Sequence, residues 1–119
     1  MYNVVKIGGK DVPMLSMASV DIFYRNIFNK DPLKEQVEIE DGADSVGFIM
    51  RMGFVMAKYA EVKDRKEMQK VNEDAFLEWL DQFDRADFYN ALPDVQKTYE
   101  GQSLTDADSK KNSDRPSEE

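Results

Sequence analysis

The sequence predicts an α+β fold, mostly α: an N-terminal β-hairpin packed on a small helical bundle, then a disordered C-terminal tail. Three observations predict it. Two short apolar runs flank a Gly-Gly pair near the start, four or five segments with helical apolar spacing follow, and beyond Tyr99 only Leu104 is large and apolar. The predicted organisation is one globular domain over residues 1–100, with the hairpin over about 3–15 and helices over about 17–99, and a polar tail over 101–119. At 119 residues and 41% hydrophobic content, the chain has room for one modest core.

The hairpin rests on Val4-Val5-Lys6-Ile7, then Gly8-Gly9, then Lys10-Asp11-Val12-Pro13-Met14-Leu15. Adjacent glycines supply the positive φ angles of a two-residue turn. Pairing Ile7 with Lys10 sets Lys6 opposite Asp11 and Val5 opposite Val12, a charge pair beside an apolar pair. Pro13 cannot donate to a ladder, so its strand is an edge or ends there.

Ser16 or Ser19 is positioned to cap a first helix whose apolar face is Met17, Val20, Phe23, Tyr24, Ile27 and Phe28, stopping near Asn29. Asp31-Pro32 starts a short second element, Asp as cap and Pro in the first helical position, before an acidic loop at Glu38-Ile39-Glu40-Asp41-Gly42. Asp44 or Ser45 then caps a helix over 46–60 that is apolar almost all the way round and carries Met50, Met52 and Met56. Only Arg51 and Lys58 mark a polar stripe on it. Gly47 and Gly53 would let neighbouring backbones come close. The run is too short and too charged to span a bilayer, which takes roughly 20 apolar residues.

Residues 62–71 are dense in charge and read as a solvated continuation or a linker. Asn72 followed by Glu73 and Asp74 starts another helix with Phe76, Trp79, Leu80 and Phe83 on one face. Asp84 with Asp87 caps a last one, with Phe88, Tyr89 and Leu92 inward and Pro93 as a kink or a new start before Tyr99.

Composition excludes much chemistry. The chain has no Cys and no His, which removes disulfides, thiolate chemistry, Cys/His zinc sites and histidine acid/base catalysis. A net charge of −8 disfavours nucleic acid and anionic membrane as partners. Met1-Tyr2-Asn3-Val4-Val5-Lys6 lacks the basic and apolar regions of a signal peptide, so a cytoplasmic protein is expected. The carboxylates Glu38, Glu40, Asp41 and Asp44 fail as a calcium loop, since counting back from Gly42 puts Val37 and Ile39 at ligand positions. Asp81, Asp84 and Asp87 are explained by capping and solvation, and Gly8-Gly9 has no phosphate-loop fingerprint around it. No catalytic, cofactor-binding or metal residue is predicted; the residues describe a small acidic interaction protein.

Two stretches carry a family resemblance. Tyr24-Arg25-Asn26-Ile27-Phe28-Asn29-Lys30-Asp31-Pro32, after an N-terminal hairpin, resembles the Tyr-Arg...Phe-Gly-Lys-Asp pattern of tail assembly chaperones from long-tailed phages of Gram-positive bacteria. Asn29 stands for the usual glycine, and both tolerate a left-handed helix end. Phe76-Leu77-Glu78-Trp79-Leu80-Asp81-Gln82-Phe83-Asp84 is similar to that family's Trp-Leu-x-x-Phe helix. The resemblance covers about residues 4–92. It implies a non-enzymatic protein of the infected host's cytoplasm, not retained in the mature virion. Such a protein binds and solubilises the tape measure protein and helps tail tube subunits polymerise around it.

In this family a frameshift near the gene's end often appends a second domain, through which a longer form would reach the tail tube protein. Lys110-Lys111-Asn112 is compatible with an A-rich slippery stretch. Self-association to a homo-oligomer suits a protein that coats a long client. An adaptable methionine-rich helix suits varied apolar stretches. Its edge near Met52, Val55 and Tyr59 is expected to be lightly covered, and Trp79 to serve as an anchor. A second class stays open, an acidic DNA mimic that inhibits a nucleic-acid-binding protein: carboxylates aligned like phosphates mark the mimic, an apolar groove the chaperone.

Overall fold

The hairpin is β1 (Tyr2–Ile7) and β2 (Lys10–Leu15), paired antiparallel with Ile7 opposite Lys10, Lys6 opposite Asp11 and Val5 opposite Val12. The structure, a computed structural model, describes residues 1–62 and 64–104. Of the two turn glycines only Gly8 takes a positive φ, 63°, the requirement at the first central position of a type II′ turn. Hydrogen-bonded pairs alternate from Ile7–Lys10 outward to the reciprocal bonds between Met1 and Ser16, each 2.8 Å. Pro13, opposite Val4, therefore falls where a backbone N–H would point away from β1, so its missing donor costs the ladder nothing. Asn3, Val5 and Ile7 face inward and are buried, while Tyr2, Val4 and Lys6 face out.

Among the described residues six helices follow: α1 (Val20–Phe28), α2 (Pro32–Glu40), α3 (Ser45–Val62), α4 (Arg65–Met68), α5 (Glu73–Leu80) and α6 (Arg85–Tyr99). The apolar helix is central: α3 packs against β2 and each of the other helices. At Gly53 an added Cβ would meet Val95 Cγ1 at 3.1 Å, with Met14 and Trp79 atoms at 3.7 Å, so β2, α5 and α6 all converge on that glycine. Gly47 differs from expectation; its space is limited by the Arg51 and Asp44 side chains, not by a neighbouring backbone. Phe54 lies within 5.5 to 6.2 Å, ring to ring, of Phe76, Trp79 and Phe28, which joins α1, α3 and α5 in one aromatic core.

Several local expectations are corrected. α1 begins at Val20, so Met17 lies outside it and is exposed. Neither serine caps it through its side chain: Ser19 makes no cap bond, and Ser16 Oγ donates instead to Tyr99 O. Asn29 does end α1 in the left-handed conformation, φ 55°. The Asp31 side chain accepts from Leu33 N, but α2 then runs on to Glu40, so Glu38, Ile39 and Glu40 are helical rather than a loop, with Ile39 packed on the core. Asp44 Oδ1 accepts from Val46 N and Asn72 Oδ1 from Ala75 N, as caps should. Asp84 sits at the start of α6 without a side-chain cap bond, and Tyr89 is exposed instead of inward. Pro93 lies inside a continuous α6 on its exposed side. In the charge-dense stretch, α4 buries Met68.

Residues 101–104 are not a loose tail. The buried Asn3 Nδ2 donates to Thr98 Oγ1 at 3.0 Å and to Gln102 O at 2.9 Å, Leu104 N donates to Asn3 Oδ1, and Leu104 packs on the core. The rest of the predicted tail, with Lys110-Lys111-Asn112, lies outside the described residues.

α2 is attached in a mixed way, because beside Pro32 and Ile39 the side it turns to the body carries Glu35 and Gln36. Tyr24 OH donates to Glu35 Oε1, Arg51 Nε donates to Tyr24 OH at 2.8 Å, and Arg51 Nη2 donates to Glu35 Oε2 at 2.7 Å. Alongside, Gln36 Nε2 donates to Tyr99 OH, which donates to Asp21 Oδ1 at 2.8 Å. Arg51, on the polar stripe of α3, is mostly covered. Burial first, then the bonds to Glu35 and Asp21, push the Tyr24 and Tyr99 hydroxyls well above their ordinary value of 10.0.

Since each folded tyrosine holds its proton more tightly than an unfolded one, their contribution is fully present below about pH 10 and lost as pH rises above it. Urea midpoints are expected to fall between about pH 10 and about pH 11.5, and the combined Tyr24→Phe, Tyr99→Phe variant to show a shallower fall. An unchanged slope in that variant would remove the two tyrosines as the cause.

Candidate functional site

A groove of about 480 Å³ runs between β2, the C-terminal half of α3 and the α5–α6 turn. Its apolar lining is Val12, Pro13, Ala57, Ala60, Trp79 and Phe83. The groove exists because α3 presents alanines there, at Ala57 and Ala60, where larger side chains would fill the space. Trp79 is fixed from behind by Phe54, Phe88 and Phe83, at 5.2 to 5.7 Å between ring centroids. The α5–α6 turn is held to the hairpin by Lys10, whose Nζ donates to Gln82 O at 3.0 Å and stands 5.5 Å from the Phe83 ring centre. Asp87 reaches under the hairpin turn, where only a glycine leaves it room: a Cβ on Gly8 would lie 2.6 Å from Asp87 Oδ2.

The rim carries Lys10, Asp11, Lys58 and Glu61. Lys58 bonds Glu61 at 3.2 Å, and Asp11 bonds Lys6 at 2.7 Å. Lys10 makes no ion pair among the described residues, its Nζ being held by Gln82 O and the Phe83 ring, so the groove offers apolar contact beside a rim of two cations and two carboxylates. It opens onto the outer face of the hairpin, since Tyr2 and Pro13 line it and Val4 stands opposite Pro13. Tyr2 and Val4 are 54% and 43% exposed, which extends the apolar surface beyond the groove. A smaller hollow of about 220 Å³ lies between α2, α3 and α6, floored by Phe48, Ile49 and Tyr99.

The four predicted binding residues do not form one surface. Met52 and Val55 are 0% exposed, which corrects the expectation of a lightly covered edge: the hairpin, α1 and α6 all pack on α3 and leave that edge no solvent. Tyr59 is half-buried, its ring 5.2 Å from that of Phe23, and is not part of the groove wall. Trp79 alone belongs to the groove, as a mostly buried wall rather than a protruding anchor. Ala57, Ala60, Val12 and the hairpin's outer residues were missed. The small residues Gly53, Ala57 and Ala60, spaced by four and three, were the available signal, marking the side of α3 that β2 approaches.

Among the described residues, no three carboxylates come together as a metal site, and no helix is long and apolar enough to cross a membrane. Asp81 and Asp84 are exposed, and Asp87 is engaged under the hairpin turn. Comparisons with protein-family models, with curated proteins and with solved structures found no match to this chain.

Proposed function

We propose that the chain is a non-enzymatic phage tail assembly chaperone that binds the tape measure protein in the infected cell, keeps it soluble and assists tail tube polymerisation. The observation that carries this reading is the apolar groove with its charge-balanced rim, continuous with the exposed hairpin face. Such a surface takes side chains from an apolar helix without demanding a fixed pattern of charge. Pro13 favours a helical client over an extended one, because the β2 edge beside the groove lacks a donor that an added strand would need. The sequence resemblance at residues 24–32 and 76–84 supports the same role. The longer frameshifted form, the tail tube contact and absence from the finished virion belong to this proposal.

The test is co-expression with the tape measure protein encoded beside the gene. The native chain is expected to move most of that protein into the soluble fraction. Tyr2→Asp with Val4→Asp, both on the outer hairpin face, is expected to lower the soluble yield by about tenfold with the chain's own fold intact by circular dichroism. Equal client solubility with and without the native chain overturns the function; equal rescue by native and variant chains overturns the surface.

A further inference from the structure

The outward side of α2 points to a second site. Helices of small domains normally turn their apolar side inward, whereas α2 divides its apolar residues, with Pro32 and Ile39 toward the body and Leu33 and Val37 toward solvent. Glu35 and Gln36 are tied to Tyr24, Arg51 and Tyr99, and Leu33 and Val37, one turn apart, are 64% and 58% exposed. The polar network prevents α2 from rolling over to bury them. Next to that pair, on one flank, stand Lys34 and Glu38, both exposed and neither in an ion pair among the described residues.

Their order is unfavourable within one chain. A cation near the start of a helix and an anion near its end both oppose the helix dipole, and Lys placed four residues before Glu is the weaker orientation of that pair. The same order is self-complementary between two chains. In an antiparallel pair of helices related by a two-fold axis, like flanks face each other, so Lys34 of one copy meets Glu38 of the other and the contact is made twice. The axis then brings Leu33 against Val37 of the second copy. We infer that α2 is a homodimerisation surface, pairing antiparallel with α2 of a second copy through Leu33 and Val37, flanked by two Lys34–Glu38 ion pairs.

The chain's own C-terminal segment is a poor occupant, because residues 105–119 contain no Val, Ile, Leu, Met, Phe, Tyr or Trp to cover the apolar pair. No α2 residue lines the groove beside β2, so pairing leaves that groove open and the inference stands independently of the proposed client. A nine-residue helix buries far less than the roughly 1,200 Å² of stable interfaces, so the dimer is weak, with a Kd on the order of 0.1 mM.

Sedimentation equilibrium of the full chain is expected to show the weight-average mass rising from one copy toward two between about 10 µM and about 500 µM. Leu33→Asp is expected to raise Kd by at least about tenfold. Lys34→Glu and Glu38→Lys should each weaken association by about threefold, and the double exchange should restore it, because both reciprocal pairs re-form with reversed sign. Circular dichroism checks that each variant folds. The chain has no cysteine, so an oxidised equal mixture of Leu33→Cys and Val37→Cys chains should give mainly the mixed dimer. A monomer at every concentration, no restoration by the double exchange, or like-with-like cross-links predominating over mixed ones overturns the inference.

Discussion

Phe54→Ala is expected to lower the unfolding free energy by about 3–5 kcal/mol, the largest loss from any single truncation in this core. Phe54 is fully buried on α3, and its ring meets Phe28 from α1 and both Phe76 and Trp79 from α5. Truncation removes the ring's burial and leaves a cavity bounded by three aromatic rings on two elements, which cannot collapse together without moving α1 or α5. Domains of this size are stable by only about 5–15 kcal/mol, so the loss is a large share of the total. The single tryptophan, Trp79, touches Phe54, and its fluorescence is a direct reporter of unfolding in urea. Leu77→Ala, at a largely exposed position of α5, is the control and should change stability by about 0.5 kcal/mol or less. A loss below about 1 kcal/mol at Phe54 would show that the aromatic cluster is not the keystone of the core.

What the sequence disclosed followed the range of the forces involved. The hairpin register was legible because a two-residue turn, an alternating pattern and one charge pair all act within 12 residues of each other. The caps at Asp31, Asp44 and Asn72 were legible for the same reason: each side chain bonds a backbone N–H two or three residues on. The central position of α3 could be argued from its nearly continuous apolar surface. Its covered side could not, since a helix apolar all round does not say which neighbours arrive, and Met52 and Val55 were assigned to an open edge for that reason.

Arg51 shows the same limit for polar residues. On its own helix it looks like part of a polar stripe with Lys58, and only Tyr24 and Glu35, 27 and 16 residues away in sequence, make it a partly buried tie. Residues 101–104 looked like the start of a polar tail, and their anchor is Asn3, at the other end of the chain. The groove was hidden because its walls come from β2, α3 and the α5–α6 turn, and each segment alone shows only ordinary core residues.

Arg51→Ala is expected to cost about 3 kcal/mol, and its effect should be spatially uneven. The Arg51 and Glu35 side chains are only 21% and 16% exposed, so removing the guanidinium leaves a largely covered carboxylate with Tyr24 OH as its remaining bonded partner. Breaking a fully buried pair in this way costs about 3–5 kcal/mol, and the remaining water contact puts this pair at the lower end. Replacing the whole triad, Arg51→Met with Glu35→Leu and Tyr24→Phe, should be within about 1 kcal/mol of the native chain, because neither an unpaired charge nor an orphaned hydroxyl remains. Urea titrations of the two variants decide between a charge left alone and a lost packing contact: equal losses would mean that Arg51 acts through its aliphatic stem.

The second readout is local. α2 buries only Pro32 fully and depends on Glu35 and Gln36 for much of its attachment, so losing Arg51 should raise hydrogen exchange across α2 well before it does so in β1 or β2. Because the inferred dimer face is the outer side of that helix, Arg51→Ala should also weaken self-association although Arg51 lies on the opposite, inner side. The Met/Leu/Phe variant, which docks α2 through apolar contacts in place of the network, should leave self-association near the native value. Loss of association in both variants would place the dimer contact on the network itself and not on Leu33 and Val37.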